Sequence, residues 1–373
     1  MSPMPSQSLA LDDKGRRDID ALRAEIDRID RRLVELIAQR ASHALEIGRR
    51  KRAAGLPVFA PEREKDLLAG LSRSNRGPLP DAHVRNIFRE IISACREVQH
   101  PLSVAYLGPE FTFSHQAALR HFGHSCRMKA LAGMEEIFRE VERGSCSVGL
   151  VPVENSGEGA VNAALDQLLA SRLKVCGEVY APISHVLMSA SEDLKAITTV
   201  YSHPQALAQC RVWLGRNLPQ ARVAEASSTA AAARQAAGAP GAAAVGARAA
   251  AERYGLKVLA EGIQDYAHNT TRFLVVGPQD APPCGHDKTC LVFMTTHQPG
   301  SLHLALGELA GRGLNLTRIE SRPTRDRPWE YAFFVDLLGH RSDPQVAEAL
   351  EALRKQVEQL KVLGSFPAGE MKQ

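Results

Sequence analysis

The sequence predicts a multidomain protein with three parts of different class: an all-α N-terminal domain, a central α/β domain and a ferredoxin-like α+β C-terminal domain. Three observations carry this. Residues 18–52 hold apolar positions at helical spacing with no Gly or Pro before Gly48. From Ser103 onward, short β-like runs alternate with helical ones. After Ala281-Pro-Pro-Cys-Gly285 the pattern becomes βαββαβ. The boundaries predicted from these shifts are 1–100, 101–280 and 281–373. A chain of 373 residues at roughly 100–200 residues per domain accommodates them.

In the first part, Ile19, Leu22, Ile26, Ile29, Leu33 and Leu36 are spaced 3, 4, 3, 4 and 3 apart, a coiled-coil-like stripe. Gly55-Leu-Pro57 is expected to close this helix. A second helix starts near Pro61, with Glu62 and Glu64 at its favourable N-terminal end. A third runs from about Asp81, read as its N-cap, to Val98. A helix of ~35 residues is ~50 Å long, too long for two shorter helices to cover its stripe, so a partner chain is expected to cover the rest.

In the second part, Val104–Leu107, Ser147–Val151 and Thr198–Tyr201 read as strands. Helices follow from about Ser114, over 159–170 and over 204–214, and the sheet is expected to be largely parallel. Residues 221–253 hold 17 alanines and read as helix broken in two by Gly238-Ala-Pro240-Gly241. In the third part the strands are Thr289–Thr296, Leu314–Ser321, Tyr331–Leu338 and a short one near 361–363. Its helices are Ser301–Ala310 and Val346–Leu360.

Composition excludes several classes. Hydrophobic residues are 44% and charged residues 24%, so each part has material for a core, and wholesale disorder is excluded. No uncharged apolar run reaches the ~20 residues of a membrane helix, so no membrane partner is expected. The first twenty residues carry Asp12, Asp13, Asp18 and Asp20 and no apolar segment, so no signal peptide is expected. Seven scattered cysteines with no CxxC pair predict reduced thiols in a cytoplasm, and neither a disulfide scaffold nor a metal. No cofactor motif is present. Net charge is +4; the first hundred residues hold 19 Lys/Arg against 15 Asp/Glu, and the remainder is balanced. That mild excess suits a pocket for small anions and predicts no nucleic-acid partner.

The basic residues of the helical part are arranged for such a pocket. Arg40 and Lys51, eleven positions apart, lie ~20° apart around a helix and ~16 Å along it. Arg23 points ~100° away from Arg40 and is placed to serve the pocket of an antiparallel partner. Arg63 and Glu64 follow on the second helix. Guanidinium forks suit paired carboxylates. With Ala21-Leu-Arg23, Ile26, Asp30, Pro57-Val58 and Glu62-Arg63-Glu64-Lys65, residues ~18–99 resemble the all-helical chorismate mutases. The resemblance implies an intertwined dimer with Arg23 reaching into the partner's site. It implies that Arg40 and Arg63 hold substrate carboxylates, that Lys51 and Gln99 bond the ether oxygen of chorismate, and that Glu64 holds its hydroxyl. A pericyclic rearrangement moves no proton and needs no nucleophile; positioning and aimed cations suffice. Ala60 and Cys95 depart from the family pattern, Ala60 standing where an Asp is common and Cys95 where a Ser can occur.

In the central part, Gly108-Pro-Glu-Phe-Thr-Phe-Ser114, Val153-Glu-Asn-Ser156, Ser202-His203-Pro204-Gln205 and Asn269-Thr-Thr-Arg-Phe273 place small polar groups at strand-to-helix junctions, where N–H groups bind anions. With Glu261-Gly-Ile-Gln-Asp265 before Asn269-Thr-Thr-Arg-Phe-Leu-Val275, residues ~103–277 resemble prephenate dehydratase. That family has two α/β lobes with the site between them. The resemblance implies that Thr271 gives the proton to the leaving hydroxyl of prephenate and that Phe273 packs at the ring. Thr112, Ser114, Asn155 and Ser156 would line carboxylate pockets, with Glu154, Asn162, Ser202, His203, Gln205, Ser227, Thr229 and Arg272 completing the prephenate site. Phe111 replaces a family Gly. Phe tolerates positive φ poorly, so either the loop is reshaped or the dehydratase is impaired. On that reading Phe111→Gly raises kcat/KM.

Residues ~287–365 resemble the ACT regulatory domain. Gly300-Ser-Leu-His303 (Gly300, Ser301, Leu302, His303) fills a strand-to-helix turn, and Glu320-Ser-Arg-Pro323 (Glu320, Ser321, Arg322, Pro323) follows the second strand. The resemblance implies that these segments from paired domains bind L-phenylalanine, in a homodimer or higher homo-oligomer. The whole chain then implies a bifunctional enzyme: chorismate to prephenate, then prephenate to phenylpyruvate. Three other readings stay open. They are a monofunctional enzyme with one degenerate site, dehydration of arogenate instead, and a non-catalytic phenylalanine-binding regulator. The last needs none of Arg40, Lys51 and Thr271.

Overall fold

A computed structural model describes residues 13–54, 61–324 and 331–369. The expected helix stop at Gly55–Pro57, with Val58 and Ala60, lies outside the described residues. Three helices come first: α1 (Asp13–Ala53), α2 (Pro61–Ser74) and α3 (Asp81–Gln99). Pro80, not Asp81, holds the N-cap position of α3; Asp81 sits in the first turn and accepts from Asn75 Nδ2 at 2.7 Å. The far half of α1 packs on α3 through a small-residue contact. A Cβ at Gly48 would fall 2.9 Å from Gln99 Cβ, so only glycine permits the approach. The near half is bare: Leu22 is 66% and Ile26 56% exposed, and Ile29, Leu33 and Leu36 are exposed with them.

The central region has two lobes. The first contains β1 (Ser103–Leu107), α4 (Phe113–Phe122), β2 (Arg127–Leu131), α5 (Met134–Glu142), β3 (Val148–Asn155), β4 (Gly159–Ala160), α6 (Asn162–Ala170) and β5 (Lys174–Pro182). The second contains β6 (Val186–Ser189), β7 (Thr199–Ser202), α7 (Pro204–Gln209), α8 (Arg211–Asn217), β8 (Arg222–Glu225), α9 (Thr229–Ala237), β9 (Ala242–Gly246), α10 (Arg248–Tyr254) and β10 (Lys257–Glu261). Strand β11 (Thr270–Gly277) returns to the first lobe. The sheets run β2-β1-β3-β11-β5 and β10-β6-β9-β7-β8.

Both sheets are mixed, not largely parallel: β11 is antiparallel to β3 and β5, and β6 is antiparallel to β9 and β10. Two-way passage between lobes forces this, because β11 re-enters a sheet that β5 has left. The alanine-rich stretch is likewise not helix alone: it holds α9 and α10, but strands precede and separate them. Residues 222–225 and 242–246 are strands, and β9 is buried at every position between β6 and β7. Small side chains there let α9 and α10 close on the sheet, so tertiary packing overrides alanine's helical preference. Smaller differences have local causes: the helix expected over 159–170 begins only at Asn162, after β4 pairs with β3, and 204–214 is broken at Cys210.

The last region is β12 (Asp287–Met294), α11 (Ser301–Ala310), β13 (Leu316–Pro323), β14 (Tyr331–Leu338), α12 (Pro344–Gln356) and β15 (Gln359–Pro367), with the antiparallel order β13-β14-β12-β15. This is the βαββαβ pattern, although the final strand is much longer than 361–363. It is long because it pairs along all of β12 and seats on the first lobe. At Gly364 (φ +156) a Cβ would meet Val175 O at 2.2 Å. One core joins the two: Val151, Leu165, Val175, Leu274 and Val276 pack with Cys290, Val292, Phe334, Leu363 and Phe366. All seven cysteines are free thiols. Among the described residues, no helix is long and apolar enough to cross a membrane.

Candidate functional site

The chain crosses between the lobes twice, before β6 and before β11, and the crossings are tied together. Ile183 N–H donates to Asn269 O at 2.8 Å, and Ile263 N–H donates to His185 O at 3.1 Å. Above them lies a cavity of about 240 Å³. Its lining includes nine predicted residues: Thr112, Ser114, Asn155, His203, Gln205, Ser227, Thr229, Thr271 and Phe273. Thr112 caps α4 from one lobe and Ser228 caps α9 from the other, accepting from Ala231 N at 3.0 Å. Two helix N-termini thus face one cavity, and no Lys or Arg is among its lining residues. Such a site suits a small dianion held by N–H and O–H groups.

Thr271 and Asn155 are opposite each other on β11 and β3. Asn155 Nδ2 donates to Thr271 Oγ1 at 2.9 Å and to Asn269 Oδ1 at 2.8 Å. The amide orientation is set from both ends. Gly157 N–H, which can only donate, bonds Asn155 Oδ1 at 2.9 Å. Glu158, whose carboxylate can only accept, takes Gln209 Nε2 at 2.7 Å. Gln209 Oε1 then accepts from Asn269 Nδ2 at 2.9 Å and faces His185 Nε2 at 2.8 Å. Thr271 is therefore an acceptor within the protein, and its own proton is left for a ligand. Burial pulls His185 below its ordinary pKa, only partly offset by Gln209, so it stands neutral with Nε2–H donating.

Gln209, His185 and Glu158 were not among the residues predicted. Gln209 is one helical turn beyond Gln205, a usable signal; His185 and Glu158 carry none.

Five predicted residues do not line this cavity, each for a visible reason. Ser202 is fully buried and bonds Val245 O at 2.6 Å, tying β7 to β9. Ser156 clips β3 to β11, donating to His268 O at 3.0 Å and accepting from Thr270 N at 2.9 Å. Asn162 is an exposed first residue of α6. Glu154 and Arg272, beside Asn155 and Thr271, point to the opposite face as strand alternation requires. Glu154 accepts from Arg318 at 2.9 Å, and Arg272 pairs with Glu178 at 2.8 Å and with Asp336.

Phe111 occupies the loop position that the resemblance gives to Gly. It keeps the left-handed conformation (φ +66). Its ring is not among the groups lining the cavity. It meets His115 edge-on at 5.7 Å and, across the lobes, Tyr254 at 6.5 Å, with the Arg253 guanidinium 5.8 Å away.

In the helical region, Lys51 lies one turn beyond Gly48, on the face that meets Gln99. Burial raises the Glu62 carboxyl, while backbone hydrogen bonding and Lys51 pull it down. Glu64 is engaged by Arg96 at 2.6 Å, a buried arginine the sequence did not mark; Arg96 also donates to Phe122 O at 2.5 Å. Arg40 is half-buried and Arg63 exposed. Arg23 is exposed beside Asp20. It is about 42 Å along α1 from Lys51, so one chain cannot bring both to one site.

A further cavity of about 370 Å³ opens at the start of α11, where Gly300 has φ +84. Gly300, Ser301, Leu302 and His303 line it with Tyr331 and Phe333. Glu320, Ser321, Arg322 and Pro323 do not. Arg322 is committed to Asp166 of α6 through both Nε and Nη2. Among the described residues no group of three His, Cys, Asp or Glu is arranged to hold a metal.

Comparison with known proteins agrees with this division. The chain matches the family Chorismate mutase type II over residues 22–100, Prephenate dehydratase over 104–281 and ACT domain over 289–355. It is 44% identical over 354 residues to a bifunctional chorismate mutase/prephenate dehydratase of Aquifex aeolicus, covering 94% of this chain and 98% of that one. Over 355 residues it is 44% identical to the protein so named from Stutzerimonas stutzeri, covering 94% and 97%. The crystal structure of a prephenate dehydratase from Arthrobacter aurescens in complex with L-Phe superposes with TM-score 0.66 at 35% identity, over 72% of this chain and 90% of that chain. With three domains in the same order and identity along nearly the whole length, this chain belongs to the bifunctional chorismate mutase/prephenate dehydratase family.

Proposed function

We propose that the helical domain rearranges chorismate to prephenate, that the inter-lobe cleft converts prephenate to phenylpyruvate, and that L-phenylalanine at the ACT domain inhibits the second step. The observation that carries the dehydratase reading is the Asn155–Thr271 pair, with its polarity set from both ends. In the reaction the ring carboxylate leaves as CO₂. Its electron pair aromatises the ring and expels the ring hydroxyl, which takes a proton and departs as water. Thr271 offers its O–H to that oxygen. A Thr hydroxyl is a weak acid in water; here the Asn155 amide donates to the same Oγ1 and stabilises the charge that develops as the proton moves. The N-termini of α4 and α9, with Thr112, Ser114, Ser227 and Thr229, receive the carboxylates.

For the mutase step, Arg40, Lys51, Arg63, Glu64 and Gln99 of one chain, with Arg23 of a partner, surround chorismate. Exposure of the stripe from Leu22 to Leu36 supports a dimer built along α1. The ACT segments act in pairs, the Gly300 turn of one facing the Glu320 segment of another. Seven free thiols support a cytoplasmic setting.

The test is incubation with chorismate near neutral pH, following prephenate and phenylpyruvate over time against a no-enzyme control. Phenylpyruvate is expected. Prephenate accumulating alone would sink the dehydratase half or point to arogenate; unchanged chorismate would sink the mutase half and favour a regulator.

The Phe111 ring gives a separate expectation. Because it lies outside the cleft and joins the lobes, Phe111→Gly is expected to lower kcat/KM for prephenate about two- to tenfold through KM, the worth of a lost aromatic pair. An increase in steady-state kcat/KM would show that the side chain obstructs the site after all.

A further inference from the structure

Strands β3 and β11 present two neighbouring register pairs. Asn155 with Thr271 faces the cleft, and Glu154 with Arg272 faces the ACT sheet. Both members of the second pair are held by ACT residues. Arg272 lies between Glu178 of β5 and Asp336 of β14, and Lys288 of β12 reaches the same Glu178 at 2.8 Å. This quartet is buried and carries two charges of each sign, so it is a fixed anchor.

The second contact is different. Arg318 of β13 donates from Nε to Glu154 at 2.9 Å, yet its Nη2 is buried without a hydrogen-bond partner. That Nη2 lies 3.7 Å from Glu320 on the same strand. One largely buried guanidinium therefore stands between two carboxylates. One neighbours the Asn155 that orients Thr271; the other lies in the segment proposed to face the Gly300 turn of a second ACT domain across the effector.

We infer that Arg318 is a positioning residue for the dehydratase reaction, acting through Glu154 on Asn155, and that Glu320 competes for it. The inference rests on the dehydratase and phenylalanine readings above. In the effector-free chain, Glu320 draws part of the Arg318 charge. An α-amino ammonium on Glu320 neutralises that carboxylate and leaves Arg318 to Glu154 alone. Glu154 is one peptide bond from Asn155, so its pull displaces the amide that aims the Thr271 hydroxyl. Displacements well under 1 Å matter at such a distance, because a misplacement of ~1 Å can cost ~10²-fold in rate. The ligand thus gains its leverage from differential contacts in two arrangements of one side chain.

The test uses the full chain. Prephenate kinetics with and without L-phenylalanine are combined with phenylalanine binding by calorimetry for wild type, Arg318→Gln, Arg318→Lys and Glu154→Gln. Arg318→Gln is expected to lower kcat roughly three- to thirtyfold with KM little changed. It should bind phenylalanine as wild type does while losing most of the inhibition. Glu154→Gln should show the same split from the other side, and Arg318→Lys, which keeps charge without the fork, should recover part of both. Unchanged kcat and inhibition in Arg318→Gln would overturn the inference. So would a loss of inhibition matched by an equal loss of binding, which would make Arg318 a plain effector ligand. Should Arg318→Gln fail to fold, Arg318→Lys and Glu154→Gln decide alone. A wild type that makes no phenylpyruvate would instead remove the underlying reading, and this inference with it.

Discussion

Thr271→Val should lower dehydratase kcat by about 10²–10³-fold, the typical worth of one preorganised donor to a developing charge, while conversion of chorismate to prephenate by the same molecules keeps its rate. The substitution nearly preserves shape and removes only the hydroxyl. It deletes the hydroxyl proton offered to the substrate, and it leaves Asn155 Nδ2 with Asn269 alone. Thr271→Ser restores an O–H at the same place and should recover most of the rate. The measurement is phenylpyruvate release from supplied prephenate, with mutase activity as the internal reference. A Val variant within threefold of wild type would mean that the leaving hydroxyl takes its proton from elsewhere, and the assigned role of Thr271 would fall.

Arg272→Met should be among the most destabilising single changes in this chain. Burial opposes the Arg272 charge, but Asp336 and Glu178 outweigh it and hold its pKa above the ordinary guanidinium value. Removing the cation leaves those two carboxylates buried, with Lys288, on Glu178, as the cation still paired to them among the described residues. Breaking a buried ion pair from one side typically costs about 3–5 kcal/mol. For a unit of this size that corresponds to a Tm lower by roughly 6–20 °C, readable by calorimetry. A shift under 2 °C would mean that the quartet is solvated and is no anchor for the ACT sheet. The same variant separates two accounts of Arg272. A substrate-binding arginine would chiefly raise KM, whereas a buried tether lowers stability first.

The sequence carried the site's chemistry further than its geometry. Thr271 and Asn155 stood in recognisable motifs, but their contact joins residues 116 positions apart, and no local pattern encodes that register. The same motifs drew in Glu154 and Arg272, because adjacency in sequence reads as membership of one site. On a strand, adjacency means the opposite face, and here the opposite face belongs to the ACT domain. Ser202 and Ser156 show the related limit: a small hydroxyl at a strand end serves a ligand or a neighbouring backbone equally well. Phe111 shows a third. The demand for positive φ was legible from the glycine it replaces, while the ring's position between Arg253 and Tyr254 depended on how the second lobe closes.

By itself the sequence determined the long α1 helix, the βαββαβ order of the last domain, the helix span Ser301–Ala310, the strand Tyr331–Leu338 and the three-domain family. Periodicity and turn chemistry are local, and burial of one face is enough to write them. Only the tertiary structure decided that Ala242–Gly246 is a buried strand, that both central sheets are mixed, and that the ACT sheet shares a core with the first lobe. It also decided that Arg318 and Asp336 hold the backs of the strands whose fronts carry Asn155 and Thr271. Those facts depend on which distant surfaces meet. A periodic pattern records that a face is buried, whereas the identity of the partner that buries it is set by long-range register and by the packing of small side chains.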